Sequence, residues 1–178
     1  MNHAQTINTR TRCLAVLGNP VFHSASPVMQ NAAIVAHKLN WRYFAFDVRP
    51  LGLGAALAGA KVMGFVGLNL TVPHKIAALQ HIDVLDKSAE LVQAVNTIRF
   101  EAHRGDDRFE PIDKIDPDDV HEVRSVGFST DGEGLIRALR SAFSFDVQGK
   151  TVFVLGAGGA ARLFAENGLY FLKIFFNT

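Results

Sequence analysis

Val62-Met63-Gly64-Phe65-Val66-Gly67-Leu68, followed at once by Asn69-Leu70-Thr71-Val72-Pro73-His74-Lys75, is the stretch on which the fold turns. The first seven residues are apolar and β-rich and read as a buried strand. Pro73 has no N–H and disfavours helix at Val72, so no ladder continues past it. Lys75-Ile76-Ala77-Ala78-Leu79 then supplies good helix formers. Asn69, Thr71 and Lys75 therefore fall at a strand-to-helix corner, and ligands of parallel α/β sheets lie at the carboxyl ends of strands. An amide, a hydroxyl and an amine gathered there can hold a small polyhydroxylated ligand, with the amine as proton donor. The plainer reading, a capped strand end with a solvated lysine, stands beside it.

Working outward, strands and helices alternate. Cys13-Leu14-Ala15-Val16-Leu17-Gly18 reads as a first buried strand, broken by Gly18-Asn19-Pro20. In His23-Ser24-Ala25-Ser26-Pro27, Ser26 fits an N-cap and Pro27 the first position of a helix over 28–39. Two hydroxyls at i and i+2 beside free helical N–H groups and a positive dipole end suit a carboxylate; they also suit simple capping and turning. Trp41-Arg42-Tyr43-Phe44-Ala45-Phe46-Asp47-Val48 reads as a second strand, 51–60 as a short helix and 86–94 as another. Ala94-Val95-Asn96-Thr97-Ile98-Arg99-Phe100 returns to strand. This alternation predicts an α/β fold with a mainly parallel twisted sheet.

Residues 101–124 change character and read as a polar excursion, a hairpin or a surface loop, outside the core. The acidic group Asp116, Asp118 and Asp119 lacks the glycine and terminal glutamate of a calcium loop, so a solvated turn and no metal site are expected. Gly127-Phe128-Ser129-Thr130-Asp131-Gly132 leads into a helix over 133–144, which Asp131 could cap. After a linker at 145–150, Thr151-Val152-Phe153-Val154-Leu155 is an apolar strand that runs into Gly156-Ala157-Gly158-Gly159-Ala160-Ala161-Arg162. Its G-x-G-x-x-A spacing between a strand and an Ala-rich helix start matches the dinucleotide pattern: Gly156 for the tight turn, Gly158 for close approach of a pyrophosphate, Ala161 for helix–strand packing. The expected division is a ligand-binding domain over 12–126, a connecting turn and helix over 127–150, and the opening of a Rossmann-like domain over 151–178.

The chain has 178 residues, 48% of them hydrophobic and 20% charged, with a formal net charge of +1. That near-neutral balance gives no electrostatic reason to expect nucleic acid or an anionic membrane. The single cysteine, Cys13, lies in a strand-like run and reads as a structural thiol. No apolar run approaches a membrane span, and the polar first twelve residues hold no secretory segment, so a cytoplasmic protein is expected.

Five blocks in order resemble shikimate dehydrogenase: Gly18-Asn19-Pro20 with Ser24-x-Ser26-Pro27, Asn69-x-Thr71-Val72-Pro73-x-Lys75, Ala94-Val95-Asn96-Thr97, Thr130-Asp131-Gly132, and the glycine loop 156–162. The resemblance implies NADP-linked, reversible reduction of 3-dehydroshikimate to shikimate, the substrate being a small molecule and the enzyme a monomer or homodimer. By the same resemblance Ser24 and Ser26 bind the substrate carboxylate. Asn69, Thr71, Lys75, Asn96 and Asp131 complete the substrate pocket, with Lys75 and Asp131 as the catalytic pair. Gly156, Ala157, Gly158, Gly159, Ala160, Ala161 and Asn177 would meet the cofactor. Hydride arriving at a ketone carbon leaves charge on oxygen, and an ammonium held there neutralises and protonates it.

Three departures accompany the resemblance. Ser129 stands where the family usually has Asn, and the segment 101–126 is longer than the family's short hairpin. The family also continues beyond the equivalent of Thr178, so an incomplete form of the enzyme is expected. Residues 172–178 read as the second strand of the nucleotide-binding unit, ending Asn177-Thr178 without the family's arginine between them. The alternatives are a non-catalytic fragment that binds a shikimate-like acid, and a quinate/shikimate dehydrogenase that uses NAD.

Overall fold

The computed structural model describes residues 6–103 and 108–144, together with the backbone of 151–152 and 170–171. The elements follow in chain order as β1 (Arg12–Gly18), α1 (Ser26–Ala36), β2 (Trp41–Asp47), α2 (Leu53–Val62), β3 (Gly67–Leu70), α3 (His74–Ala77), β4 (Val84–Leu85), α4 (Lys87–Val92), β5 (Thr97–His103), β6 (Glu110–Pro111), β7 (Glu122–Phe128) and α5 (Asp131–Phe143). A separate parallel pair joins β8 (Thr151–Val152) to β9 (Tyr170–Phe171).

The main sheet has seven strands in the order β2-β1-β3-β5-β7-β4, with β6 on β5. β1 pairs in parallel with β2 and β3, and β4 with β7. β5 pairs antiparallel with β3, β6 and β7, so it alone runs against the others. The mainly parallel α/β sheet is therefore present, with one reversed strand inserted near its centre. That reversal has a consequence for the site: the amino end of β5 lies at the same edge as the carboxyl ends of β1, β3 and β7.

Alternation along β1 divides the core. Ala15 and Leu17 face a cluster with Leu53 and Leu57 of α2, Leu68 and Leu70 of β3, and Ile98 and Phe100 of β5. Val16 faces the other way, packing with Val21, Ile34 of α1 and Tyr43. Each large apolar side chain so buried contributes about 1.5–3 kcal/mol. α1 covers the sheet over β1 and β2. Further along that face stand Asn69 and its cross-strand partner Thr97, polar residues in place of a second apolar layer.

Three expectations change on folding. The apolar run 62–68 is not one strand: Val62 ends α2, and Gly64 at φ +72 turns the chain. The Gly64 N–H then bonds the Lys61 carbonyl and the Phe65 N–H that of Ala60, the paired closure that a left-handed residue permits. The strand proper is only Gly67–Leu70. Second, Ser26 is not the N-cap of α1 but its first helical residue; Ala25 occupies the cap position, and the helix ends at Ala36 before Lys38 takes a positive φ. Third, 101–124 is a hairpin, as one reading allowed, but it is not outside the core. β5 extends to His103 and pairs with β7 from Glu122, while Ile112 and Ile115 are buried in the main core. The strand expected over 172–178 lies outside the described residues; the described part of β9 is Tyr170–Phe171. Asp116 does cap a turn, its carboxylate accepting the Asp118 N–H at 3.2 Å.

Candidate functional site

The corner after β3 is built by close approach. Thr71 N–H donates to Leu17 O at 3.0 Å and Asn19 N–H to Val72 O at 3.0 Å, which ties the ends of β1 and β3 together. A Cβ on Gly18 would stand 2.4 Å from Thr71 Cγ2, so only glycine permits this contact. Val72-Pro73 then ends the ladder, and α3 begins at His74. His74 is fully buried, with Nε2 at 2.7 Å from the Val48 carbonyl, which makes that nitrogen the protonated one. Lys75 O accepts the Val95 N–H at 2.8 Å. The lysine backbone is thus clamped from both sides while its side chain remains 30% exposed.

Lys75 Nζ donates to Asp131 Oδ2 at 2.6 Å. Asp131 does not cap α5. It is the first residue of that helix, after Thr130 at the cap position, and its carboxylate turns to Lys75 and Asn96. Asn96 Nδ2 donates to Asp131 Oδ1 and to Thr130 Oγ1, and Asn96 Oδ1 accepts the Thr130 N–H at 3.0 Å. Asn69 Nδ2 donates to Thr97 Oγ1 at 3.1 Å and to Asn96 O at 3.3 Å, and its Oδ1 accepts the Tyr43 hydroxyl at 2.7 Å. Asn69, Lys75, Asn96 and Asp131 therefore form one connected cluster at the carboxyl edge of the sheet. Thr71 sits beside it, half-buried, with its methyl against Gly18.

Ser24 and Ser26 stand outside that network, in the loop from β1 and the first turn of α1. Both are partly exposed, and Ser24 Oγ accepts the Ser26 N–H at 3.3 Å. No acidic residue occupies the first turn of α1, so its positive end is not already neutralised. Gly156, Ala157, Gly158, Gly159, Ala160, Ala161 and Asn177 lie outside the described residues. Sequence reasoning missed Tyr43 as a site residue and read it only as part of a strand. It also left aside Thr97 and Thr130, although both lie next to residues it did choose. Among the described residues, no group of His, Cys, Asp and Glu side chains could hold a metal ion, and no helix is long and apolar enough to cross a membrane.

An open, mostly parallel sheet with a hydrogen-bonded polar cluster at the carboxyl ends of its strands places that cluster where ligands of α/β sheets lie. A family model described as the shikimate dehydrogenase substrate binding domain matches residues 16–98. The shikimate dehydrogenase (NADP(+)) of Methanopyrus kandleri is 45% identical over 162 residues, covering 91% of this chain and 49% of that protein. A crystal structure of shikimate dehydrogenase from Aquifex aeolicus superposes with a TM-score of 0.76 at 34% identity, covering 93% of this chain and 56% of that one. The Thermus thermophilus enzyme, solved in complex with NADP(H) and shikimate, gives 0.71 at 34% identity over 90% of this chain and 54% of that one. Residues 16–98 thus match that substrate-binding domain, and over the shared length the chain is similar to the shikimate dehydrogenases. It spans about half the length of the curated relatives it matches.

Proposed function

We propose that this chain carries the shikimate-binding site of an NADP-dependent enzyme that interconverts 3-dehydroshikimate and shikimate. The observation that supports it most is the Lys75–Asp131 ion pair, whose lysine lies inside the region matched to the substrate-binding domain. In this reading Ser24 and Ser26, with the N-terminal turn of α1, hold the carboxylate. Asn69, Thr71 and Asn96 meet the ring hydroxyls, and Lys75 stands at the reacting oxygen. As that oxygen gains charge in the reducing direction, the Lys75 ammonium neutralises it and delivers the proton, an effect of about 10²–10⁴ in rate. In the oxidising direction the neutral amine takes the hydroxyl proton. Asp131 keeps Nζ in place in both.

The parallel pairing of Thr151 with Tyr170 and Val152 with Phe171 fits a nucleotide unit, because a parallel pair needs a crossover of a dozen or more residues. The glycine loop 156–161 lies within that crossover and, with Asn177, would hold NADPH, which supplies the hydride when bound.

Calorimetric titration of shikimate into the 178-residue chain tests the reading. Wild type should bind shikimate and not the analogue whose carboxylate is reduced to an alcohol. Ser24→Ala and Ser26→Ala should each weaken binding by about 1.5–3 kcal/mol, the range for hydrogen bonds to a charged group. A folded chain that ignores shikimate, or serine variants with unchanged affinity, would count against it.

A further inference from the structure

We infer that Tyr43 is a positioning residue: its hydroxyl sets the orientation of the Asn69 amide and, through Thr97 and Asn96, the alignment of Asp131 against Lys75. The relay rests on geometry alone, and only its ligand rests on the shikimate reading above. Tyr43 is 4% exposed and lies on β2, two strands away from Asn69. Its neighbour in register on β1 is Leu14, while Asn69 is beside Val16, so the phenol reaches diagonally over β1 to its acceptor. Its own position is held at both backbone atoms. The Tyr43 N–H donates to Asn31 Oδ1 at 3.0 Å, and its carbonyl accepts Asn31 Nδ2 at 2.8 Å. The ring packs with Val16, Val21 and Ile34.

From Tyr43 onward every donor points the same way. The phenol O–H donates to Asn69 Oδ1 at 2.7 Å, Asn69 N–H to Thr97 Oγ1 at 3.1 Å, and Thr97 O–H to Asn96 Oδ1 at 2.9 Å. Asn96 N–H then donates to Asp131 Oδ1, whose other oxygen holds Lys75. Aligned hydrogen bonds polarise one another, and this row ends on a carboxylate, the strongest acceptor available to it. Burial pushes the Tyr43 phenol up to about 12, so at physiological pH the O–H remains a donor and the direction does not reverse. An amide has two orientations of similar shape; the tyrosine donor selects the one with Oδ1 toward β2. With both its N–H groups directed to Thr97 and Asn96, Asn69 meets a ligand as an acceptor. It therefore selects a hydroxyl able to donate.

The test is a double-mutant cycle on the 178-residue chain, with Tyr43→Phe, Asn69→Ala and the pair. Tyr43→Phe keeps the ring that packs the core and removes only the donor. Shikimate affinity should fall about 5–10-fold, the range for one hydrogen bond. In the Asn69→Ala background the same substitution should change it less than about twofold, since coupling is confined to sites that share a partner. A separate readout needs no ligand: the Asn69 side-chain amide resonances in a ¹⁵N spectrum should move in Tyr43→Phe while the backbone spectrum stays native. Unchanged affinity, or an equal loss in both backgrounds, overturns the inference, because a merely structural role would act without Asn69. Unmoved Asn69 amide resonances overturn it too. Should wild type not bind shikimate at all, the amide resonances still decide the relay, and the failure belongs to the functional reading.

Discussion

Glu101→Gln should destabilise the fold by about 2 kcal/mol at neutral pH, and the penalty should shrink in acid. Glu101 lies in β5, 5% exposed, and its carboxylate takes two guanidinium groups. Oε1 accepts from Arg99 Nε at 3.0 Å and from Arg99 Nη2; Oε2 accepts from Arg124 Nε at 3.0 Å and from Nη2 at 2.8 Å. Burial by itself would raise the carboxyl pKa. The hydrogen bonds from Arg124 and Arg99, with their charges, outweigh it and hold Glu101 below the ordinary glutamate range. Glutamine keeps the shape but turns an N–H₂ toward one of the two forks. Breaking a fully buried pair costs about 3–5 kcal/mol. Here the Arg99 and Arg124 side chains are 46% and 34% exposed, so water takes up the released donors and the cost falls to about 2 kcal/mol.

The sign with pH follows from the depressed pKa. The contribution of Glu101 is complete above its unfolded value of 4.5 and is lost as pH falls through the lower folded value. Urea unfolding of wild type and variant at pH 7 and at successive steps below pH 4.5 measures both effects. A variant as stable as wild type at pH 7, or a gap that widens on acidification, would refute the reasoning.

Two further outcomes concern the site. Gly18→Ala places a Cβ 2.4 Å from Thr71 Cγ2, and a β-branched side chain has little freedom to yield; a loss of about 1–3 kcal/mol in chemical unfolding and a displaced Thr71 methyl resonance are expected. Asp131→Asn should change stability by no more than about 1 kcal/mol, because the side chains of its ion pair with Lys75 are 30% and 37% exposed. In calorimetry the same variant should lose about tenfold in shikimate affinity, as Lys75 and Asn96 both lose their charged acceptor; a large stability loss with intact affinity would make the pair structural.

Much of this was legible in the chain. The apolar run from Cys13 to Leu17, the break at Gly18-Asn19-Pro20, the Pro73 stop and a helix near 86–94 are local patterns. Each is set by periods of 2 or 3.6 residues and by turn chemistry acting over a few positions. Local pattern failed where two elements met inside one apolar run, at 62–68: a helix end, a turn and a strand share the same composition there, and only Gly64 marks the join. It failed again at 101–124, where a high polar content concealed Ile112, Ile115 and the second half of β5.

The sequence by itself determined which residue types were present to make a site, and put Asn69, Thr71 and Lys75 at one corner, because nearby residues on one strand and turn must share it. What only the tertiary structure decided was convergence. Lys75 meets Asp131 across 56 positions and Tyr43 meets Asn69 across 26. The first is linked through Asn96 because β5 is inserted against the direction of its neighbours, which brings Asn96 and Thr97 to the edge where β1, β3 and β7 end; the second exists because β1 lies between β2 and β3. Strand order and direction are set by the burial of two whole faces at once, a property of the assembled sheet that no short window of residues contains.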